Sequence, residues 1–90
     1  MTYSEKESAA KKQVAISAVS YFVSQGANHV TLSLTSITAR MTVFCETFEE
    51  AQEYEQQSSI FMLDGTLRQI RELPITDDEI IYTLELDWLP

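Results

Sequence analysis

The stretch "EIIYTLELDWLP", residues 79–90, constrains the fold most. Ile80, Tyr82, Leu84, Leu86 and Trp88 fall on one side of an extended chain, with Ile81, Thr83, Glu85 and Asp87 on the other. Alternation with a period of two marks a strand with one buried face. Five aligned large apolar residues predict a long strand in the interior of a sheet.

The remaining segments supply its neighbours. Ser4 and Glu7 make a capping box ahead of an alanine- and lysine-rich run, and Gly26 provides a stop. Residues 4–25 are therefore predicted as a helix about 30 Å long. On it Gln13, Ser17, Ser20 and Ser24 share a polar strip, and apolar residues fill the remaining arc. That arc is about twice the stripe of a little over 100° that packing on one sheet requires. Either the helix is central, or its flank residues Val14, Ile16, Tyr21 and Val23 meet another copy of the chain. "NHVTLSLT" alternates Val30, Leu32 and Leu34 with polar residues, and "ITARMTVFC" alternates Ile37, Ala39, Met41, Val43 and Cys45. The two are expected to pair as a hairpin around Thr35 to Thr38.

Thr47 followed by Glu50 is a second helix start, and Phe48, Ala51 and Tyr54 give the helix over about 47–57 one buried stripe. Asp64-Gly65 then sits between an apolar run and Thr66, as in a type I′ hairpin. Leu67, Ile70 and Leu73 also allow a short helix over 66–73; a strand ending at Pro74 is the expectation. The predicted order is α-β-β-α-β-β-β. This makes an α+β fold, one domain over residues 1–90, with a long N-terminal helix and one short acidic helix on a mostly antiparallel sheet of four to five strands.

Charge narrows the function. The net charge is −8, and it is unevenly placed. Residues 1–45 carry Lys6, Lys11, Lys12 and Arg40 against Glu5 and Glu7, whereas residues 46–90 carry twelve acids against Arg68 and Arg71. Such a field repels phosphate, so direct nucleic-acid binding through the C-terminal half is disfavoured. A lone cysteine, Cys45, permits no intramolecular disulfide and fits a reducing compartment. The N-terminus has no apolar run after its charges, and Val14 to Val23 covers about half a membrane span. A soluble cytoplasmic protein with no membrane contact is expected.

Motifs for catalysis are wanting. His29 is the single histidine and lies at a strand start with no nucleophile in a recognisable motif. Cys45 alternates onto an apolar face, where a thiol is filler rather than nucleophile. One cysteine and one histidine do not make a structural zinc site, and Asp77, Asp78 and Glu79 lack calcium-loop spacing. Neither a phosphate-binding glycine loop nor a dinucleotide fingerprint occurs. No enzyme activity, cofactor or metal is expected.

What remains is surface. "CETFEEAQEYEQQ", residues 45–57, holds five glutamates and no cation. Glu46 with Glu50 and Glu49 with Glu53 repel at four-residue spacing by a few tenths of a kcal/mol each. The helix dipole relieves that cost only in the first turn. Glu46, Glu49, Glu50 and Glu53 are therefore read as a face for a basic partner, with Asp77, Asp78, Glu79, Glu85 and Asp87 extending it. In size, acidity, α+β character and want of a catalytic set, the chain resembles small phage-encoded inhibitors. These include anti-CRISPR and anti-restriction proteins that imitate the charge of DNA or block a nucleic-acid channel. The likeness lies in composition and size, so it assigns no residue a role. It implies a non-enzymatic acidic binding module that occupies a basic surface of a nucleic-acid-handling protein. The competing expectation is a structural protein that self-associates, as a homodimer, through helix 4–25.

Overall fold

A computed structural model describes residues 4–90. The first three residues, part of the N-terminal stretch read above for a leader, lie outside the described residues. In order the chain forms α1 (Glu5–Ser24), β1 (His29–Leu34), β2 (Ala39–Cys45), α2 (Phe48–Gln57), a 3-10 turn (Ser58–Phe61), β3 (Thr66–Pro74) and β4 (Ile80–Trp88). The fold is α+β, with both helices on one face of a four-stranded antiparallel sheet ordered β1-β2-β4-β3.

Both helix starts form as their sequences dictate. Ser4 Oγ accepts from the Glu7 amide and Thr47 Oγ1 from the Glu50 amide, each satisfying a donor left over by the first turn. At the end of α1, Gly26 takes φ +93°, and the Ala27 amide returns to the Phe22 carbonyl. That left-handed step turns the chain straight into β1.

The β1–β2 hairpin closes without the Asn-Gly pair that favours such turns. Thr35 substitutes for it: its Oγ1 accepts from the Ile37 and Thr38 amides, and its own amide donates to the Thr38 carbonyl. Ile37, expected on the strand's apolar face, falls in this turn and is exposed.

The expected strand before Asp64-Gly65 does not form, so the sheet has four strands. Gly65 takes the positive φ that its position requires, +84°. The turn instead joins the 3-10 turn to β3, closed by Thr66 donating to the Leu63 carbonyl. The reason is aromatic packing. The Phe61 ring lies 5.4 Å from Tyr21 in edge contact, and the Phe61 carbonyl accepts from Trp88 Nε1 at 2.9 Å. Those contacts curl residues 58–61 over the sheet instead of along it. Residues 66–73 are strand, not helix.

β4 is interior, as its alternation predicts. Leu84, Leu86 and Trp88 are completely buried beneath the helices, beside Met41 and Val43 of β2. Ile80, at the start of the same row, runs past the end of β2 and is exposed. The α1 surface against the sheet consists of Ser8, Ala15, Ala18 and Phe22. Three of the four are small and let the helix sit close, Phe22 fills the core at its C-terminal end, and Val14, Ile16, Tyr21 and Val23 fall on the two flanks.

Trp88 connects the sheet, the 3-10 turn and the end of the chain, so its removal tests the core. Trp88→Ala should destabilise the fold by about 3–5 kcal/mol, from the cavity and the orphaned Phe61 carbonyl. Urea denaturation followed by far-ultraviolet circular dichroism measures this; a loss under about 1 kcal/mol would show that the core reads differently.

Candidate functional site

Burial of Ala51 and Tyr54 fixes the rotation of α2 on the sheet. With those two inward, Glu49 and Glu53 point to solvent together with Gln52 and Gln56. Glu46, in the loop before the helix, is also exposed. Glu50 is half-buried on the flank, near enough to Cys45 and Tyr54 to push both of their pKa values upward, second in each case to burial itself.

Asp77, Asp78 and Glu79 form the tip of the β3–β4 hairpin, held by Thr76 Oγ1 accepting from the Asp78 and Glu79 amides. β2 stops at Cys45 opposite Tyr82, so the hairpin runs on past the sheet, and residues 71–80 are all exposed. Phe48, in the first turn of α2, makes edge contact with Tyr82 at 5.5 Å. The acidic helix thus begins at the base of the acidic hairpin.

Glu85 and Asp87 do not extend this face. They alternate with Leu84 and Leu86, which meet the helices, so they lie on the opposite, helix-free side of the sheet. Each has a cation of its own: Arg71 Nε lies 2.9 Å from Glu85, and Arg40 Nε 2.5 Å from Asp87. Glu85 is only 8% exposed, flanked by β2 and β3. The strand alternation already separated these two acids from the apolar row; adding that helices cover the apolar face would have placed them correctly.

The third arginine is also engaged away from the glutamate side chains. Arg68 donates to the Glu55 carbonyl, Ser58 Oγ and Ser59 Oγ, tying β3 to the end of α2. No arginine relieves the row formed by Glu46, Glu49 and Glu53.

His29 and Cys45 do border one hollow, of about 140 Å³, together with Asn28, Phe44, Glu46, Glu50 and Ile81. The sheet keeps them apart as a catalytic pair. His29 pairs with Phe44 across the strands and meets its ring at 4.9 Å on the open face, whereas Cys45 is buried toward the helices. Burial, reinforced by the Glu50 carboxylate, pushes the Cys45 thiol up to about 12. An activated nucleophile needs the opposite shift. A second hollow of about 250 Å³ lies beside Arg40 and Asp87, lined by Ser33, Thr35, Thr38 and Leu89, with its cation already paired. Among the described residues, no three metal-ligating side chains come together.

The self-association residues divide as well. Tyr21 is consumed internally, its hydroxyl 3.1 Å from Gln57 Oε1 and its ring against Phe22 and Phe61, and Val14 packs against the core. Ile16 and Val23, on the other flank of α1, remain 44% and 57% exposed. No helix among the described residues is long and apolar enough to cross a membrane. Compared with known protein families, with curated proteins and with solved structures, the chain finds no match.

The thiol gives a measurable consequence. Its folded pKa, about 12, lies above the ordinary 9.0, so the neutral form is favoured by folding. The stability it contributes is whole below pH 9 and is lost as pH rises from there toward about 12. Native protein at pH 8 should therefore leave Cys45 unreacted with a thiol reagent over the time in which urea-unfolded protein reacts completely. Rapid labelling of the native state would show an accessible, activated cysteine.

Proposed function

We propose that this protein is a non-catalytic binding module that lays the outer face of α2 on the basic surface of a partner protein. Glu46, Glu49 and Glu53 make the primary contact. Glu50 flanks them, and Asp77, Asp78 and Glu79 at the hairpin tip provide a second acidic point.

One observation carries this reading: the exposed glutamates stand on a rigid, capped helix, and every arginine of the chain is committed elsewhere. A row of like charges held in fixed geometry loses little entropy on meeting a complementary surface. Its sign supports a partner that handles nucleic acid: Glu49 and Glu53, about 6 Å apart along the helix axis, offer negative charge to a surface that otherwise neutralises phosphates. A groove of that kind accepts this acidic helix, and the protein, once seated, excludes the nucleic acid. An inhibitor of the kind found among small phage proteins is the finer form of the same proposal. A reducing cytoplasmic setting suits the single free thiol.

Reversing Glu49 and Glu53 to lysine tests the proposal without touching the core, since both are exposed and each reversal changes the charge by two, from −8 to −4 overall. The melting curve should move little, because surface substitutions are usually within about 0.5 kcal/mol each. Affinity for a partner captured by the wild-type chain should fall by orders of magnitude, chiefly through slower association, and wild-type binding should weaken steeply with salt. A variant that folds normally and binds the same partner as tightly would reduce the acidic face to a solvated surface.

A further inference from the structure

The two edges of the sheet are unlike. Thr35 and Thr38 face each other through a backbone hydrogen bond, and in an antiparallel pair such contacts recur at every second residue. Within β1, Val30, Leu32 and Leu34 consequently turn their own N–H and C=O groups outward, away from β2. The strand has no proline, lysine, arginine or carboxylate to blunt this row. At the other edge, Ile75 donates to the Glu79 carbonyl, so the outward positions of β3 fall at Thr66, Arg68, Ile70, Glu72 and Pro74. There Thr66 N–H is already bonded to the Leu63 carbonyl, and Pro74 has no N–H to offer. β3 is defended; β1 is not.

Above the open edge lies the exposed flank of α1. Tyr21 fixes the opposite flank against Gln57 and Phe61, while Lys12 and Ser8 reach the Ser36 carbonyl at the β1–β2 turn. The side bearing Ile16, Val19 and Val23 therefore overhangs β1. Open backbone groups and apolar side chains form one continuous surface.

We propose that β1 pairs with β1 of a second copy of this chain, joining two four-stranded sheets into one of eight. The register follows from the outward groups. A two-fold axis at Leu32 sets Val30 against Leu34 of the second copy and Leu32 against its own equivalent, satisfying six backbone groups on each side. The same axis is perpendicular to the sheet, so both α1 helices stand on one face and their apolar flanks meet.

Charge selects this copy-to-copy contact. Residues 1–45, which include α1 and β1, carry the chain's small positive balance, and the acids lie beyond. With α2 centred over β4, five strand spacings separate the two acidic helices, about 24 Å. That is well past the screening length of about 8 Å at physiological salt. The contact is about 30 Å long, the length of α1, and one helix plus one strand high, which gives roughly 1,000 Å² in all. Such an area suits a weak dimer.

Sedimentation velocity of the full chain, from about 1 µM to about 1 mM, should show a monomer–dimer equilibrium. Raising salt from about 0.01 M to physiological strength should strengthen it, since two copies of charge −8 repel less when screened; binding through the acidic face weakens under the same change, so the two proposals fail separately. Val23→Lys with Leu34→Lys should raise the dissociation constant at least about tenfold and leave the melting temperature in place, because both residues are surface-exposed. Without any substitution, the amides of Val30, Leu32 and Leu34 should gain hydrogen-exchange protection as concentration rises. A strict monomer at 1 mM, an open polymer in place of a dimer, or exchange at those three amides that ignores concentration would each overturn the proposal.

Discussion

Most of this molecule follows from β4 being held between β2 and β3. Its register sets Leu84 beside Val43 and Leu86 beside Met41 on one face, and Glu85 beside Thr42 and Gln69 on the other. Leu84, Leu86 and Trp88 provide the apolar floor that both helices cover. Because β4 has a neighbour on each side, even its polar face is nearly closed, and Thr83 and Glu85 become buried. Burying a carboxylate is costly unless it is paired or hydrogen-bonded, and Arg71 supplies that partner. The last strand therefore determines both where the core lies and why two acids are unavailable to a partner.

The helices then divide the surface between them. α1 meets the sheet through Ser8, Ala15, Ala18 and Phe22. Tyr21 and Val14 go to the α2 side, and Ile16 and Val23 to the outer side. α2 meets the sheet with a narrower apolar stripe, leaving its glutamates outward. One helix exposes hydrocarbon at the β1 edge, and the other exposes charge over β4.

Much of this was legible in the sequence because it depends on local chemistry. The Ser4 and Thr47 caps, the Gly26 stop and the alternations in β1, β2 and β4 are written in residues a few positions apart. The failures came where distant contacts overrode a local signal. Asp64-Gly65 does turn the chain, but not as the expected type I′ hairpin: Gly65 alone takes a positive φ, and no strand precedes it, since Phe61 is drawn to Tyr21, forty positions earlier, and its carbonyl to Trp88. Sign of charge alone groups the acids, whereas the sheet divides them by face: Glu46, Glu49 and Glu53 on one side, Glu85 and Asp87 on the other. The wide apolar arc of α1 was visible, but which flank stays open depends on where α2 sits. That is a tertiary fact.

Edge and face together give the molecule a polarity that neither has alone. Negative charge makes acidic regions avoid each other, so a strongly acidic chain can add strands only where its own field is weak. β1 lies in that region, and β3 is closed by Pro74 and its charged neighbours. Growth through β1 about a two-fold axis, as proposed, would consume the undefended edge among the described residues and leave β3 outermost at both ends, so the assembly would stop at two. Two acidic helices would then stand on the same side of one continuous sheet. A basic surface long enough to span both gains the second contact at the effective concentration set by a rigid scaffold, without any new chemistry at either site. Under the two proposals, separation of the hydrocarbon edge from the acidic face would let the same fold use one surface to pair with itself and the other to meet a basic partner.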